Sequence, residues 1–401
     1  MRARRLSLTL AAMLLAGGLL APGPRARAGG AAEGEACFAE TGFCVQGRFL
    51  AYWQANGNLA RNGFPLSEER RELLEDGKEY TVQYFERVRL EYHPENQPPY
   101  DVLLGQFGRR LIETESTGRF AEPSRPAPAL AGQAYFPQTA HNLGGPFLAY
   151  WQEHGGLAQF GFPLTEEFGG VTVGLQGDAS RVQYFERGRL EYHPEYAGTA
   201  YAILLGQFGR AIAEQNRLLA EDFRALYLTD AAVRAQLGEP RAGEGPAASG
   251  TVPGATQAFE RGRMVYLERG LTTDASGGYV VGGTVYVLAG AATTGDWSRY
   301  PDTWQEGQEA GGGAAPIAGL FYPQRGFGKV WRENAPVQQG VGYALTGKEQ
   351  ALAIAVQYFA RGQMLAVATP EGRFIYVLSL TEDRGGRNFQ GRYERFAAGA
   401  R

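Results

Sequence analysis

Aromatic and polar positions along the chain follow spacings that predict short helices joined to β-hairpins. Phe49, Tyr52 and Trp53 fall at positions i, i+3 and i+4, which places three aromatic side chains on one helical stripe. Gly57 follows this stripe, and glycine tolerates the left-handed conformation found at helix ends. Further on, β-favouring residues flank Glu186-Arg187-Gly188-Arg189, a pattern typical of a hairpin with glycine in its turn.

The hairpin pattern also predicts a register. We expect Phe185 opposite Leu190 and Glu186 opposite Arg189, with Gly188 at positive φ. The first copy has Val88 in place of this glycine, and a β-branched residue resists that conformation, so its turn either differs or is strained. Residues 103–112 are predicted to form a short helix that packs on the hairpin.

The helix and hairpin patterns recur, which indicates internal duplication. Residues 49–69 read FLAYWQANGNLARNGFPLSEE and residues 147–167 read FLAYWQEHGGLAQFGFPLTEE. Two fainter copies contain QAFERGRM (257–264) and QYFARGQM (357–364). One glutamine is retained in every copy: Gln83, Gln183, Gln257 and Gln357. We expect this side chain to tie the hairpin to a loop, with ligand contact as the alternative.

These repeats predict the α+β fold class and the organisation of the domains. We expect a tandem repeat of units, each a short aromatic helix plus a β-hairpin, as four copies in two lobes divided near residues 214–222, with short strands predominating. The predicted boundaries are a signal peptide (1–28), repeat unit 1 (29–120), repeat unit 2 (129–216), diverged unit 3 (217–305) and diverged unit 4 (317–401). Stretches rich in Pro or Gly separate the units.

The first residues predict export. Three arginines precede an apolar run from Leu6 to Leu20, and Ala26-Arg27-Ala28 resembles a cleavage site, so we expect a secreted protein without a membrane span. Cys37 and Cys44, seven positions apart, are then expected to form a local disulfide.

Charge argues against nucleic acid as a partner. Removing residues 1–28 takes away five arginines and changes the formal net charge from −3 to −8. A mildly acidic surface repels phosphate backbones, so we expect no nucleic-acid partner.

The recurring core resembles the LGFP repeat of secreted bacterial proteins associated with the cell envelope. The signature tetrapeptide corresponds to residues 62–65 (NGFP) and 160–163 (FGFP), and residues 237–240 (LGEP) keep the leucine. The units here are longer than that repeat and carry LEYHPE as an addition. The resemblance implies an extracellular module that attaches to or recognises the cell wall, often appended to an enzyme domain. We expect no enzyme domain here, because the repeats fill nearly the whole mature chain.

Aromatic side chains are the main binding candidates, because their flat faces stack on sugar rings and their N–H and O–H groups bind hydroxyls. A role in the core is the alternative at helical spacing, and Trp297 and Trp304, outside the repeated helix, are expected to be more exposed than the others. The glycan-binding candidates are Tyr52, Trp53, Tyr150, Trp151, Trp297, Tyr300 and Trp304.

Two other patterns have weaker chemical meaning. Glu91 and His93, with Glu191 and His193, are weak candidates for a metal site, and a solvated hairpin face is the alternative. The motifs of serine hydrolases, zinc proteases and phosphate-binding loops do not occur in the sequence. We therefore expect a secreted, non-catalytic module without cofactors that binds envelope polysaccharide. A structural or protein-binding role at the cell surface is the alternative, and a glycan hydrolase a further one.

Overall fold

The computed structural model describes residues 34–115, 118–172, 178–241, 249–273, 279–381 and 390–399. Helices and strands both occur along the chain, which confirms the α+β class. The predicted signal peptide lies outside the described residues. Within the described ranges, no helix is both long enough and apolar enough to cross a membrane.

The chain begins with a small hairpin and two short helices. Strands β1 (Glu35–Cys37) and β2 (Cys44–Gln46) pair so that the two cysteines lie opposite each other, and the predicted disulfide joins them. Helices α1 (Gly47–Ala55) and α2 (Asn58–Asn62) follow. Gly57 separates the helices at a φ of +89°, so the predicted aromatic helix and its glycine end are both confirmed.

A four-stranded antiparallel sheet packs beneath these helices. Its strands lie in sequence order and are β3 (Arg70–Leu73), β4 (Glu79–Tyr84), β5 (Arg89–Tyr92) and β6 (Val102–Leu104). Helix α3 (Phe107–Thr114) follows β6. Phe49 and Trp53 of α1 pack on Phe85 and Leu90, so the aromatic stripe covers one face of the sheet.

The same order of elements follows a second time. The elements are β7 (Ala134–Phe136), β8 (His141–Leu143), α4 (Gly145–Glu153), α5 (Gly156–Phe160), β9 (Phe168–Thr172), β10 (Asp178–Tyr184), β11 (Arg189–Tyr192), a 3-10 turn (Pro194–Tyr196), β12 (Ile203–Leu205) and α6 (Phe208–Leu218). Their four-stranded sheet packs on the first one through a shared core, which includes Tyr84 and Tyr184. Arg109 of α3 pairs with Glu186 at 2.9 Å, and Arg210 of α6 pairs with Glu86 at 2.8 Å.

The rest of the chain forms a closed eight-stranded barrel with two helix pairs. The first pair is α7 (Glu221–Thr229) and α8 (Ala231–Leu237), and the second is α9 (Arg325–Glu333) and α10 (Ala335–Val341). The strands are β13 (Ser249–Phe259), β14 (Gly262–Thr273), β15 (Tyr279–Gly290), β16 (Thr294–Pro301), β17 (Gln350–Phe359), β18 (Gly362–Thr369), β19 (Gly372–Leu380) and β20 (Gln390–Ala397). Their order around the barrel is β13-β14-β15-β16-β20-β19-β18-β17, all antiparallel.

Each helix pair packs on strands from the other half of the barrel sequence. Helices α7 and α8 place Tyr227 and Leu237 against Met364 and neighbouring residues of β18 and β19. Helices α9 and α10 place Trp331 and Val341 against residues of β14 and β15. Neither pair packs mainly on the strands that follow it directly in the chain.

Several local expectations are wrong. The predicted two-stranded hairpins are parts of four-stranded sheets, and the barrel strands are 8 to 12 residues long, not short. Residues 103–112 are not one helix, because strand β6 ends at Leu104 before α3 begins. In the turn, Leu190 lies opposite Gln183 and Arg189 opposite Tyr184. Gly188 is not at positive φ, which explains how Val88 fits the equivalent turn without strain.

The glutamine shared by the four copies makes the contacts expected of it. Gln83 donates to the carbonyls of Cys44 (2.7 Å) and Ser67 (2.9 Å), and Gln183 donates to those of Asn142 and Thr165. In the barrel, Gln257 donates to the carbonyl of Thr346, which follows α10, and Gln357 donates to that of Leu218, which precedes α7. The predicted link between hairpin and loop is therefore confirmed at all four positions.

Candidate functional site

The first four aromatic candidates hold the helix pairs on the sheets. Trp53 is 8% exposed, and its indole N–H donates to the carbonyl of Gly63 at 3.1 Å. Trp151 makes the same bond to Gly161 at 3.3 Å. Burial raises the pKa of Tyr52 to about 12, although Arg187 and Arg61 act in the opposite direction.

Tyr150 and two aromatic residues of the barrel also hold helices on their sheets. Burial raises the pKa of Tyr150, which packs in the core between α4 and the second sheet. In the barrel, Tyr227 donates through its hydroxyl to Gly238 at 3.0 Å, and Trp331 donates through its indole to Gly342 at 2.7 Å. An aromatic donor and a glycine carbonyl therefore anchor every helix pair.

Trp297 and Tyr300 lie on β16. Trp297 is 2% exposed, packs in the barrel interior and donates its indole N–H to Ser379 at 2.9 Å. The expectation that Trp297 is exposed is therefore wrong, because alternation along β16 turns this residue inward. Tyr300 is partly buried against the core under α9 and α10. Both residues border a shallow cleft of about 440 Å³ in which Arg392 pairs with Asp296.

Trp304, the last candidate, lines a separate cleft of about 430 Å³ on the outer wall of the barrel. Four parts of the chain meet there: the outer faces of β13 and β14, the segment after β16, the start of α9, and the residues around the start of β17. The lining combines aromatic, charged and small side chains: Pro253, Gly254, Ala255, Tyr266, Glu268, Asp302, Trp304, Gln324, Arg325, Gly326, Phe327, Glu349 and Ala351.

Asp302 lies on one side of this cleft, at the N-terminus of α9. Its carboxylate accepts the backbone N–H of Trp304 at 3.0 Å. Burial raises the pKa of Asp302, while the bond from Trp304 and the charge of Lys329 lower it. A Cβ atom at Gly326 would lie 2.6 Å from a carboxylate oxygen of Asp302, so glycine at this position leaves room for the carboxylate.

Glu349 and Arg325 form the opposite side. Arg325 donates to one oxygen of Glu349 at 3.0 Å and lies 6.0 Å from the centre of the Trp304 ring. The other oxygen of Glu349 is buried, and within the described ranges it accepts no hydrogen bond. The cleft thus combines a partly exposed aromatic ring with the ion pair of Arg325 and Glu349.

The backbone of Arg325 is strained in a way that its counterparts avoid. Arg325 has a φ of +47° at the start of α9. The equivalent first helical residues are Gly47 (φ +53°) and Gly145 (φ +52°), and glycine adopts this conformation freely. An arginine there costs about 1 kcal/mol or more. Strain of this kind is concentrated at functional sites, where the side chain contributes to binding.

Tyr266 forms the inner wall of the cleft. Its ring is half-buried beside β13, and burial raises the pKa of Tyr266. The negative charges of Asp302 and then Glu268 raise it further. The electrostatic environment of the ring is therefore negative.

The Glu–His pairs of the first lobe form closed networks. Hydrogen bonds join the His93 ring to Glu91 (3.2 Å) and Glu95 (3.0 Å) from opposite sides. Burial lowers the pKa of His93, but these carboxylates outweigh it and raise the pKa. His193 also lies between two carboxylates, but in the described part of the chain it is hydrogen-bonded only to Glu195 at 2.9 Å, while its Nε2 lies 3.5 Å from Glu191 without a hydrogen bond.

The structure tests both interpretations of the Glu–His pattern, the metal site and the solvated hairpin face. Glu91, Glu191 and His193 are buried, so the expectation of a solvated hairpin face is wrong for them. A carboxylate on each side of the ring does not converge on one ion. Among the described residues, the group with metal-binding spacing is Glu35, Cys37 and Cys44, whose two thiols are joined in the disulfide.

Sequence reasoning identified Trp304 in the cleft but missed Tyr266, Asp302, Arg325 and Glu349. These residues come from separate elements, and no local motif joins them. One signal was present: Arg325 replaces a glycine that both first-lobe copies retain. No family model matches the chain, and comparison with curated proteins and with solved structures finds no match either.

Proposed function

We propose that the protein is an exported, non-catalytic module that binds envelope or extracellular polysaccharide through the cleft of Trp304. The observation that carries this proposal is the cleft itself, which places the partly exposed ring of Trp304 among charged and polar side chains. Saccharide sites combine an aromatic face for the sugar ring with planar polar groups for its hydroxyls. Asp302, Arg325 and Gln324 supply such groups within the same cleft.

The packing of the repeated Tyr–Trp pairs against the sheets favours this cleft over them. Trp53 is 8% exposed, and Trp151 packs against the core between α4 and the second sheet. The indole N–H of Trp304 also donates within the fold, to the carbonyl of Glu309 at 3.4 Å, but its ring lines an open cleft. A sugar ring needs both an accessible ring and polar groups around it. Trp304 satisfies this requirement, since it is partly exposed and lines the cleft together with those groups.

Export and envelope association are parts of the same proposal. The predicted signal peptide and the LGFP-like tetrapeptides support it. The disulfide between Cys37 and Cys44 is consistent with an oxidising compartment, where such bonds persist.

The proposal includes four related units in two lobes, of which the last two have exchanged helix pairs. Two features support it: the glutamine link at four positions, and the aromatic donor paired with a glycine carbonyl beneath each helix pair. In this view the repeated aromatic residues build the scaffold, and the binding site arises where the third and fourth units meet.

A pull-down tests the function. Mature protein is incubated with insoluble envelope fractions and with purified polysaccharides, with free sugars as competitors, and released sugar is monitored. We expect retention that sugar abolishes. Trp304→Ala should weaken it at least about fivefold, while Trp304→Phe, which keeps a flat ring, should retain most of it.

The control is Tyr201→Ala, which removes a side chain that is 65% exposed in the first lobe. It should leave retention unchanged. Retention that is insensitive to Trp304→Ala would refute the cleft as the binding surface, and release of sugar products would refute the non-catalytic assignment.

A second candidate function, docking of a surface protein on the first lobe, rests on a different observation. Tyr100 (64% exposed) and Tyr201 (65% exposed) precede equivalent strands, β6 and β12, on exposed loops. Exposed tyrosines are frequent at protein interfaces. Protein capture lost on Tyr100→Ala and Tyr201→Ala, without competition by sugar, would support this alternative over the cleft.

A further inference from the structure

A tyrosine recurs at one position beside the helix pairs. Tyr92, Tyr192 and Tyr266 are each the seventh residue after the phenylalanine of the repeated hairpin. They also share one place in the sheet register, because their cross-strand partners are the equivalent residues Thr81, Arg181 and Ala255.

In the first lobe, an arginine of the chain covers each of these rings. The guanidinium carbon of Arg48 lies 3.5 Å from the centre of the Tyr92 ring. At Tyr192 the corresponding distance, from Arg181, is 4.6 Å. The two arginines come from different positions: Arg48 directly precedes Phe49 in α1, whereas Arg181 is the cross-strand partner. A cation over the ring is thus retained although its source changes.

At Tyr266 both of these positions hold small residues. Ala255 occupies the cross-strand position, and Gly326 directly precedes Phe327 as Arg48 precedes Phe49. Both residues line the cleft. In the part of the chain that the structure describes, no arginine or lysine lies over this ring, and the ring lines the cleft instead.

The charges around the cleft favour a cation in this space. Three carboxylates line it, from Glu268, Asp302 and Glu349. Two positive groups offset part of this charge, since Arg325 pairs with Glu349 and the charge of Lys329 acts on Asp302, which leaves one carboxylate in excess. The balance of charge is negative beside an uncovered aromatic face, the combination that binds ammonium groups.

We infer that the cleft takes up an organic cation from the ligand, in the place over Tyr266 that Arg48 occupies over Tyr92. This inference rests on the proposed saccharide-binding function, and it specifies the ligand class as polysaccharides with free, protonated amino groups. The sugar ring stacks on Trp304, while its ammonium group lies between Tyr266 and the carboxylates of Asp302 and Glu268. N-acetylation removes the positive charge and therefore weakens binding.

Calorimetric titration of the mature protein with two oligosaccharides tests the inference. The probes are a glucosamine tetramer and an N-acetylglucosamine tetramer of the same linkage. We expect the glucosamine tetramer to bind at least about tenfold more tightly, with affinity that falls as salt is added. Trp304→Ala should weaken both tetramers.

Two variants test whether the preference for the glucosamine tetramer arises at Tyr266. Ala255→Arg supplies the chain's own guanidinium over Tyr266, as Arg181 does over Tyr192, and should abolish binding of the glucosamine tetramer. The matched control, Thr81→Arg, makes the same change beside Tyr92 and should leave binding unchanged. Glu268→Gln alters an exposed side chain outside the core and should reduce the preference about threefold or more if Ala255→Arg does not fold.

The outcomes separate the inference from the function on which it rests. Equal affinity for the two tetramers, or a preference that survives Ala255→Arg or Glu268→Gln, would overturn the cation site but leave saccharide binding in place. If neither tetramer binds and no polysaccharide retains the protein, both proposals fail.

Discussion

Gly108 lies so close to the carbonyl oxygen of Phe185 that an added Cβ atom would be 1.8 Å from that oxygen. The contact is reciprocal, since a Cβ atom at Gly209 would lie 1.9 Å from the carbonyl oxygen of Phe85. The N–H of Gly108 also donates to Glu186 at 3.0 Å. The first turns of α3 and α6 therefore lie directly on the hairpin turns of the opposite sheets.

We expect Gly108→Ala to destabilise the first lobe by about 2 to 4 kcal/mol, although alanine favours a helix, because the backbones must move apart. Urea unfolding measures this. Gly250→Ala is the control, since its Cβ meets nothing within 4 Å, and it should change stability by less than about 0.5 kcal/mol. Equal effects of the two changes would contradict the close approach.

The bond from Trp331 to Gly342 predicts a graded loss of stability. Trp331→Phe keeps most of the buried ring but leaves a carbonyl without its donor, so it should cost about 1 to 2 kcal/mol. Trp331→Ala also removes the ring and should cost about 3 to 5 kcal/mol. Thermal unfolding of both variants gives the comparison. Trp304→Ala is the matched control at a partly exposed position, and an equally large loss there would assign Trp304 to the core.

Arg325 predicts opposed effects on stability and binding. Arg325→Gly relieves the positive φ but gives up an ion pair whose carboxylate is only 15% exposed, so we expect a gain of at most about 0.5 kcal/mol together with weaker saccharide binding. Gly145→Ala introduces the same strain into α4 and should cost about 1 kcal/mol. Chemical unfolding and the pull-down are measured on the same preparations. A stabilised variant that binds normally would show that the arginine has no part in binding.

Glu75 predicts a loss of stability in acid. Burial alone would raise its pKa, but Arg89 (2.7 Å) and then Arg110 (3.4 Å) outweigh burial and lower the pKa to about 2 from an ordinary 4.5. Because the folded pKa is depressed, the stabilisation is complete above pH 4.5 and is lost as the pH falls towards 2. Glu75→Gln should cost about 2 to 3 kcal/mol at pH 7.

Unfolding measured between pH 7 and pH 2.5 tests this expectation. The difference between wild type and Glu75→Gln should shrink below pH 4.5. Glu79→Gln is the control, because its ion pair with Arg71 is exposed on both sides, and it should change little at any pH. A constant difference for Glu75→Gln would refute the depressed pKa.

Local features of the fold could be predicted because local chemistry determines them. The spacing of Phe49 and Trp53 indicates helix α1, and the retained Gln83 indicates a buried hydrogen bond. Barrel closure could not be predicted in this way, since it pairs β13 with β17 and β16 with β20 across long stretches of chain. Hydrophobic alternation identifies a strand but not its neighbour.

The candidate site shows the same limit. Aromatic composition directed attention to Trp304 and, wrongly, to an exposed Trp297. Trp297 lies on the inner face of β16, and Trp304 lies in the segment after this strand. The sequence pattern around them is too short to predict which of the two indoles faces solvent. The role of Tyr266 emerges only from the strand register. The register places Tyr266 beside Ala255, whereas the equivalent Tyr192 of the first lobe lies beside Arg181.

The packing of α7 and α8 on the late strands β18 and β19 imposes an order on synthesis and folding. Strands β18 and β19 are made more than a hundred residues after α7, so the apolar face of α7 and α8 has no native partner until nearly the whole chain has emerged. The first lobe, whose helices pack on sheets made shortly after them, can fold while the chain is still incomplete. A chain truncated before β18 would therefore contain a native first lobe joined to an aggregation-prone remainder.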